Sequence, residues 1–293
     1  MPLDNPHDSP LMFTVTECPA YFGTANTSMY KAGGWKALVR RHPTTGTPAI
    51  LHVVKDSYKV TQNRDLYKQI DDTVIAQAGV RAEGAIIKDE VSYLGAFGRR
   101  QYVFPNMKCE VEQGRGRDST SVGFRVVVSN SFDGSSAIKM LAGAIDFYCS
   151  NGCIRGDFDQ SIQRHTSTQE IVLPRMIDKL KASIDVFWRH ADILRAWAKK
   201  EISDETAELV ILKFGFSESR SKAILARFRY EAEIRGRTVW ALYSALTYYA
   251  THNDDMFSIR STGSDNVAAT LQKRELEVFK ITNSNEWRQL VAA

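Results

Sequence analysis

Residues 123–167, GFRVVVSNSFDGSSAIKMLAGAIDFYCSNGCIRGDFDQSIQRHTS, carry the pattern that decides the fold. Phe124, Val126 and Val128 alternate with Arg125, Val127 and Ser129, and branched residues in alternation suit a pleated, half-buried strand. Asn130, Ser131, Asp133 and Gly134 follow. Asn and Asp side chains bond nearby backbone groups and Gly accepts positive φ, so this is turn chemistry. A second apolar run, 137–149, comes next. Two such runs about an Asp-Gly turn predict adjacent antiparallel strands. Ile138, Leu141, Ala142 and Ile145 also fit a helical stripe, and the turn favours the strand.

Upstream, residues 1–27 read as an extended arm, rich in Pro and ending near Tyr21-Phe22-Gly23. Such a segment is expected to be disordered or to lie across a neighbour. Residues 35–41 form a short amphipathic piece, 42–48 a Pro- and Gly-punctuated loop, and 50–55 a strand. Asn63 is placed to cap a helix over 64–78, whose Leu66, Ile70, Val74 and Ala78 share one face, with Gly79 as its stop. Between 82 and 128 the pattern is β-like, in short runs at 84–87, 91–94, 101–104 and 107–111. Alternation in the last run predicts one solvated face and a mainly antiparallel sheet. The Gly/Arg-rich link 113–120 reads as an exposed loop.

After His165 the pattern becomes helical. Helices are expected over 176–197, with Pro174 in a first-turn position, and over 204–214, capped by Ser203 and stopped by Gly215. Others are expected over 218–234, capped by Ser217 and stopped by Gly236, and over 239–251 and 266–280. The fold class is therefore α+β: a mainly antiparallel sheet packed with helices in the N-terminal half, and a helical C-terminal half. An arm (1–27), a sheet region (28–168) and a helical region (169–293) follow, the last two as one compact unit.

The chain carries a net charge of +4, which permits nucleic-acid binding without requiring it. No apolar run approaches the roughly 18 residues of a membrane span. The N-terminus has neither a basic nor an apolar leader region, so a cytoplasmic protein with no membrane partner is expected. The four cysteines, at 18, 109, 149 and 153, lack metal-ligand spacing and are expected as buried free thiols. No phosphate-cradling or dinucleotide-binding glycine motif is present, so no cofactor is expected.

Two chemistries compete for the polar residues. Asp133, Asp146, Asp157 and Asp159, with His165 beyond, would suit a metal-dependent phosphodiesterase if the carboxylates converged. Asp is an ordinary turn residue, however, and Ser135 and Ser136 lack an adjacent base, so neither a metal nor a catalytic residue is assigned. Nucleic-acid binding has local support. Between 210 and 240 lie seven basic residues (Lys213, Arg220, Lys222, Arg227, Arg229, Arg235, Arg237) against Glu218, Glu231 and Glu233. Helical spacing puts Arg220, Arg227 and Glu231 on one side and Lys222 and Arg229 on another, with Phe228 and Tyr230 interleaved. A helix-turn-helix about Phe214-Gly215-Phe216 is a further possibility. Arg115 and Arg117, near Arg99, Arg100 and Lys108, form a second basic locus, to which Lys31, Arg40 and Arg41 add. Trp240, Tyr243, Tyr248 and Tyr249 read as core.

The segments Val128-Ser129-Asn130-Ser131-Phe132-Asp133-Gly134-Ser135-Ser136-Ala137 and Asp146-Phe147-Tyr148-Cys149-Ser150-Asn151-Gly152-Cys153 resemble a phage- and plasmid-encoded family, domain of unknown function 932. That family carries N-S-H-D-G-S-x-A and then a strand ending V-C-S-N-T; here Phe132 replaces the His and Gly152 the Thr. Residues 58–63 and 238–249 fit as well, so the resemblance spans roughly 51–278. It implies a motif of unknown role, comprising Asn130, Ser131, Asp133, Gly134, Ser135 and Asn151. It also implies a setting of replication and recombination. The expectation is a non-enzymatic nucleic-acid-binding protein, single-stranded DNA favoured, that anneals or binds strands as a homo-oligomer through Arg115, Arg117, Arg220, Lys222, Arg227 and Arg229. A self-assembling phage structural or host-interaction protein is the alternative, and a hydrolase at Asp133–Asp159 the third.

Overall fold

A computed structural model of the chain describes residues 9–23, 28–78, 83–113, 119–146, 151–153, 161–163, 169–257 and 266–292. Its centre is the expected hairpin. Strand β6 (Thr120–Ser131) pairs antiparallel with β7 (Ile138–Asp146), Val127 opposite Leu141 and Ser129 opposite Lys139. β4 (Ile86–Ser92) and β5 (Phe97–Val111) extend the sheet on one side, and the short β8 (Asn151–Cys153) and β9 (Ser161–Gln163) both pair with β7 on the other. A separate three-stranded antiparallel sheet consists of β1 (Thr16–Phe22), β2 (Tyr30–Arg41) and β3 (Pro48–Lys55), in that order. The helices are α1 (Asn63–Ala78), α2 (Gln169–Lys199), α3 (Asp204–Lys213), α4 (Glu218–Arg235), α5 (Val239–Phe257), α6 (Val267–Thr282) and α7 (Asn285–Ala292). The fold is α+β.

The central strand departs from a half-buried strand because the large sheet is covered on both faces. Phe124, Val126 and Val128 join the main core with Leu66, Tyr67 and Ile70 of α1 and Phe187, Ala191 and Leu194 of α2. Val127 and Leu141, pointing the other way, meet Leu276 and Phe279 of α6. β6 therefore reads as the near-continuous apolar run of a two-sided strand. At the far end of β5 the sheet opens to solvent on one side: Met107, Cys109 and Val111 are buried while Lys108 and Glu110 are exposed, as the alternation predicts. The two runs expected at 101–104 and 107–111 are one strand. Pro105, which lacks an amide donor, falls where the β5–β6 register shifts between Phe104 and Lys108.

Several local expectations are corrected. Residues 35–41 belong to strand β2 and pair with β3. Asn63 does not cap α1: its side chain donates to the Leu11 carbonyl (3.1 Å) and accepts from Asn130 (2.8 Å). Pro174 lies inside α2, which starts at Gln169, and so is not in the first turn. α7 shows no strong sequence pattern at only eight residues, yet it buries Trp287 and Leu290. Ser203 does cap α3, accepting from the Thr206 amide at 3.2 Å. Gly215 and Gly236 take positive φ at the ends of α3 and α4. Residues 9–22 are built into the fold, with Leu11 and Val15 buried and β1 paired to β2. Among the described residues no helix is long and apolar enough to cross a membrane.

Candidate nucleic-acid interface and the joint at Asn130

The polar motif after β6 is a structural joint. Asn130, fully buried, donates to the Thr61 carbonyl and to Asn63. Gln62 grips the backbone of Val15 twice, accepting from its amide and donating to its carbonyl. Three amides thus tie β6, the start of α1 and the N-terminal segment into one polar knot. The Ser131 hydroxyl donates to the Ser136 carbonyl and accepts from the Ser136 amide, closing the turn (2.6 and 3.1 Å). Asp133 accepts from the Ser135 amide at 2.8 Å, and Gly134 adopts φ 71°. These are the local bonds expected of Asp and Gly in a turn. Phe132 is fully buried with Val15, Leu38 and Val54, 5.8 Å from the Phe13 ring, and pins the small sheet to the large one. Asn151 opens β8, opposite Asp146.

The carboxylate constellation is only partly visible. Asp157, Asp159 and His165 lie outside the described residues, as does the Asp146 side chain. Among the described residues no group of three His, Cys, Asp or Glu side chains is placed to hold a metal ion.

The basic stretch of α4 is largely engaged within the chain. Glu231, fully buried, accepts from Arg227 (2.9 and 2.6 Å) and from Arg235 (2.7 Å). The Arg227 guanidinium also lies 3.5 Å over the Tyr248 ring and 4.6 Å over Tyr230. Arg229 bonds Asp204 at 2.9 Å, Arg237 bonds the same carboxylate, and Lys222 bonds Glu218 at 2.6 Å. Arg220 is exposed, and Tyr230 is half exposed. Phe228 is fully buried and unavailable for stacking, and Trp240, Tyr243 and Tyr249 are core as expected. α4 also buries Ile224, Leu225 and Ala232, the apolar face that seats it against its neighbours.

The second basic locus is corrected in the same sense. Arg115 and Arg117 lie outside the described residues. Arg99 and Arg100 are buried: Arg100 forks onto Asp89 and reaches Asp71 (2.9 Å), while Arg99 bonds Glu275 (3.1 Å). Arg40 is buried over the Phe13 ring and donates to the Leu94 carbonyl, and burial lowers its pKa. Lys108 alone of the β5 set stays exposed.

The small sheet is the surface that sequence reasoning missed. Tyr21, Phe22, Tyr30 and Trp35 are 56, 60, 59 and 43 % exposed, and Ile50 and Val53 are exposed beside them. Across the strands Tyr21 stands opposite Lys31, Phe22 opposite Tyr30, and Trp35 opposite Lys55. The Phe22 and Tyr30 rings are 5.9 Å apart. Lys31, Arg41, Lys55 and Lys59 are exposed, and between residues 16 and 60 the acidic side chains are Glu17 and Asp56 alone. The signal was present as aromatic residues interleaved with Lys in a run poor in carboxylates. Reading 1–27 as an arm and 35–41 as a separate piece hid the pairing that brings them together.

No curated protein and no solved structure matches the chain. A family model matches residues 50–275, which takes in the whole large sheet, the joint at Asn130 and the helices through most of α6. By that match the chain belongs to the family described as Domain of unknown function (DUF932).

Proposed function

We propose that the protein binds nucleic acid, single strands in preference to duplex, on the aromatic and basic small sheet β1–β3. The observation that carries this reading is the exposure of the cross-strand pairs Tyr21–Lys31 and Trp35–Lys55, with the exposed pair Phe22–Tyr30, one residue along each strand, turned to the opposite face from Tyr21–Lys31. Rings on a solvated sheet give bases a face to stack on whatever their sequence, and neighbouring ammonium groups neutralise the phosphates between them. Bases held by stacking keep their pairing edges free, which is the chemistry a strand-annealing factor of phage or plasmid replication requires. Arg220 on α4 and Lys108 on β5 are further exposed cations. A second reading has its own observation. Ile50 and Val53 are exposed on β3, the strand paired with that of Trp35, and exposed apolar side chains on one sheet suit an interface between two copies of the chain.

Fluorescence anisotropy with labelled single- and double-stranded oligonucleotides at two salt concentrations tests the proposal. Single strands should bind more tightly, with log affinity falling by about 0.7 per phosphate neutralised for each unit of log salt. Lys31→Ala with Lys55→Ala should flatten that slope by about 1.4, and Trp35→Ala should weaken binding by about 1–3 kcal/mol with the slope intact. Absence of binding at low salt, together with a Trp35-dependent dimer in light scattering, would replace this reading by the second.

A further inference from the structure

α3 carries apolar side chains most of the way round. Leu209, Val210, Ile211 and Leu212 are consecutive, and four successive residues of a helix spread over most of its circumference. Ala207, Val210 and Ile211 are buried in the main core. Leu209 and Leu212 turn the other way and are 61 and 53 % exposed. With Glu205 and Glu208, also exposed, they form one stripe at positions i, i+3, i+4 and i+7, the spacing of a helix that docks on an apolar surface. A helix apolar on every side is ordinarily buried, so this stripe is a face suited to a partner. Its charge has one sign. From 201 to 212 the ionisable residues are Glu201, Asp204, Glu205 and Glu208, with Lys213 only at the helix end. Asp204 is taken up by Arg229 and Arg237, and the others lie exposed.

The outer face of the small sheet is the complement of this stripe. Val54 and Leu38 face inward, in one cluster with Phe132. Alternation then turns Val53 and Lys55 outward, and Trp35, opposite Lys55, goes with them. Trp35 and Val53 are 43 and 41 % exposed, and Lys55 is exposed beside them. Of the carboxylates in this region, Glu17 is already paired with Lys36 at 2.8 Å. One patch is thus apolar and acidic, the other apolar and basic. Both stay exposed in the single chain, so neither covers the other there, and contact between them takes a second copy.

We infer that copies of this chain associate head to tail, the Glu205–Leu212 stripe of α3 in one copy seated on the Trp35–Val53–Lys55 face of the next. Leucines and the indole leave water together, and the carboxylates of α3 meet the ammonium group of Lys55. Because the two patches differ, the contact is heterologous and repeats, which builds a ring or an open chain of copies. The inference rests on the reading of the small sheet as a joint between copies. A single strand bound on that face and a neighbour's α3 would exclude each other at Trp35.

Sedimentation velocity of the full chain over a range of concentrations tests it, with circular dichroism melts to show that each variant folds. The wild type should gain mass with concentration, and less so at high salt. Leu209→Ser with Leu212→Ser on α3, and Trp35→Ala with Lys55→Ala on the sheet, should each raise the dissociation constant by about tenfold or more. Glu205→Lys with Glu208→Lys leaves the leucines in place and should act the same way, which covers the case of a first α3 variant that melts early. At a concentration where each variant is monomeric alone, an equimolar mixture of the α3 and sheet variants should form dimers and stop there, since one intact α3 then meets one intact sheet. A wild type that stays monomeric overturns the inference together with the reading it rests on. Association lost in the sheet variant but kept in both α3 variants, or a mixture that stays monomeric while the wild type associates, leaves the sheet as the joint and overturns α3 as its partner.

Discussion

Phe132 shows how one residue decides between chemistry and packing. In the polar motif after β6, its ring closes the contact between the two sheets, buried against Val15, Leu38 and Val54. Phe132→Ala should cost about 3–5 kcal/mol, measured as the drop in unfolding free energy in urea, because it leaves a cavity between sheets. Gly98 works through absence: a Cβ there would run into Leu11 Cδ2. Gly98→Ala should expel Leu11 and lower Tm without touching the exposed sheet face. The arginines of α4 separate in the same way. Arg227 is bonded to Glu231 and stacked on Tyr248, whereas Arg220 is exposed. In a salt titration with single-stranded DNA, Arg220→Ala should therefore flatten the slope by about 0.7 if that side chain contacts a phosphate. Arg227→Ala should lower stability instead, as it strips one partner from a buried carboxylate.

At the scale of elements, α6 is joined to the sheet by charge as much as by apolar contact. Burial opposes ionisation of Glu275, yet the guanidinium groups of Arg125 and Arg99 outweigh it and hold the carboxyl below the usual carboxylate range. A folded pKa below the unfolded one gives stability that is present above the unfolded value, near 4.5, and is lost as pH falls through the folded value. Unfolding free energy measured between pH 6 and pH 3 should decline in the wild type, and Glu275→Gln should remove part of that decline. Glu275→Gln should also destabilise at neutral pH by about 3–5 kcal/mol, since two buried guanidinium groups lose their counter-charge. The turn between β4 and β5 is the other device at this scale. Tyr93 and Leu94 both take positive φ, 54° and 55°, followed by Gly95 at 91°. Left-handed backbone at non-glycine residues costs roughly 1 kcal/mol or more each. Arg40 holds the turn through the Leu94 carbonyl at 2.8 Å, so Arg40→Ala should loosen it and expose Phe13.

At the scale of the whole molecule, the N-terminal segment connects the parts. Leu11 lies in the main core, Val15 in the core between the sheets, and Gln62, Asn63 and Asn130 fasten the backbone between them. A chain lacking residues 1–15 loses two buried side chains, each contributing about 1.5–3 kcal/mol, and leaves polar atoms of Gln62 and Asn63 without partners. Against a net stability of about 5–15 kcal/mol such a truncation should melt far below the full chain, or not fold. Circular dichroism melts of the two chains check this.

The sequence by itself determined the elements whose signals are local. Alternation in 124–128, the Asp133-Gly134 turn, the glycine stops at 215 and 236 and the Ser203 cap all act within a few residues, so the hairpin, α3 and α4 were legible. So was the α+β order of the chain, because a period of two gives way to 3.6 after residue 168. Tertiary structure decided whatever depended on partners distant in sequence. Asn63 became a tie and not a cap because Leu11 and Asn130 reach it before the helix amides do. Arg227 and Arg235 turned inward because one buried carboxylate takes both. Tyr21 came to stand opposite Lys31, and Trp35 opposite Lys55, only through the pairing of β1, β2 and β3, which residue spacing along a single strand does not encode.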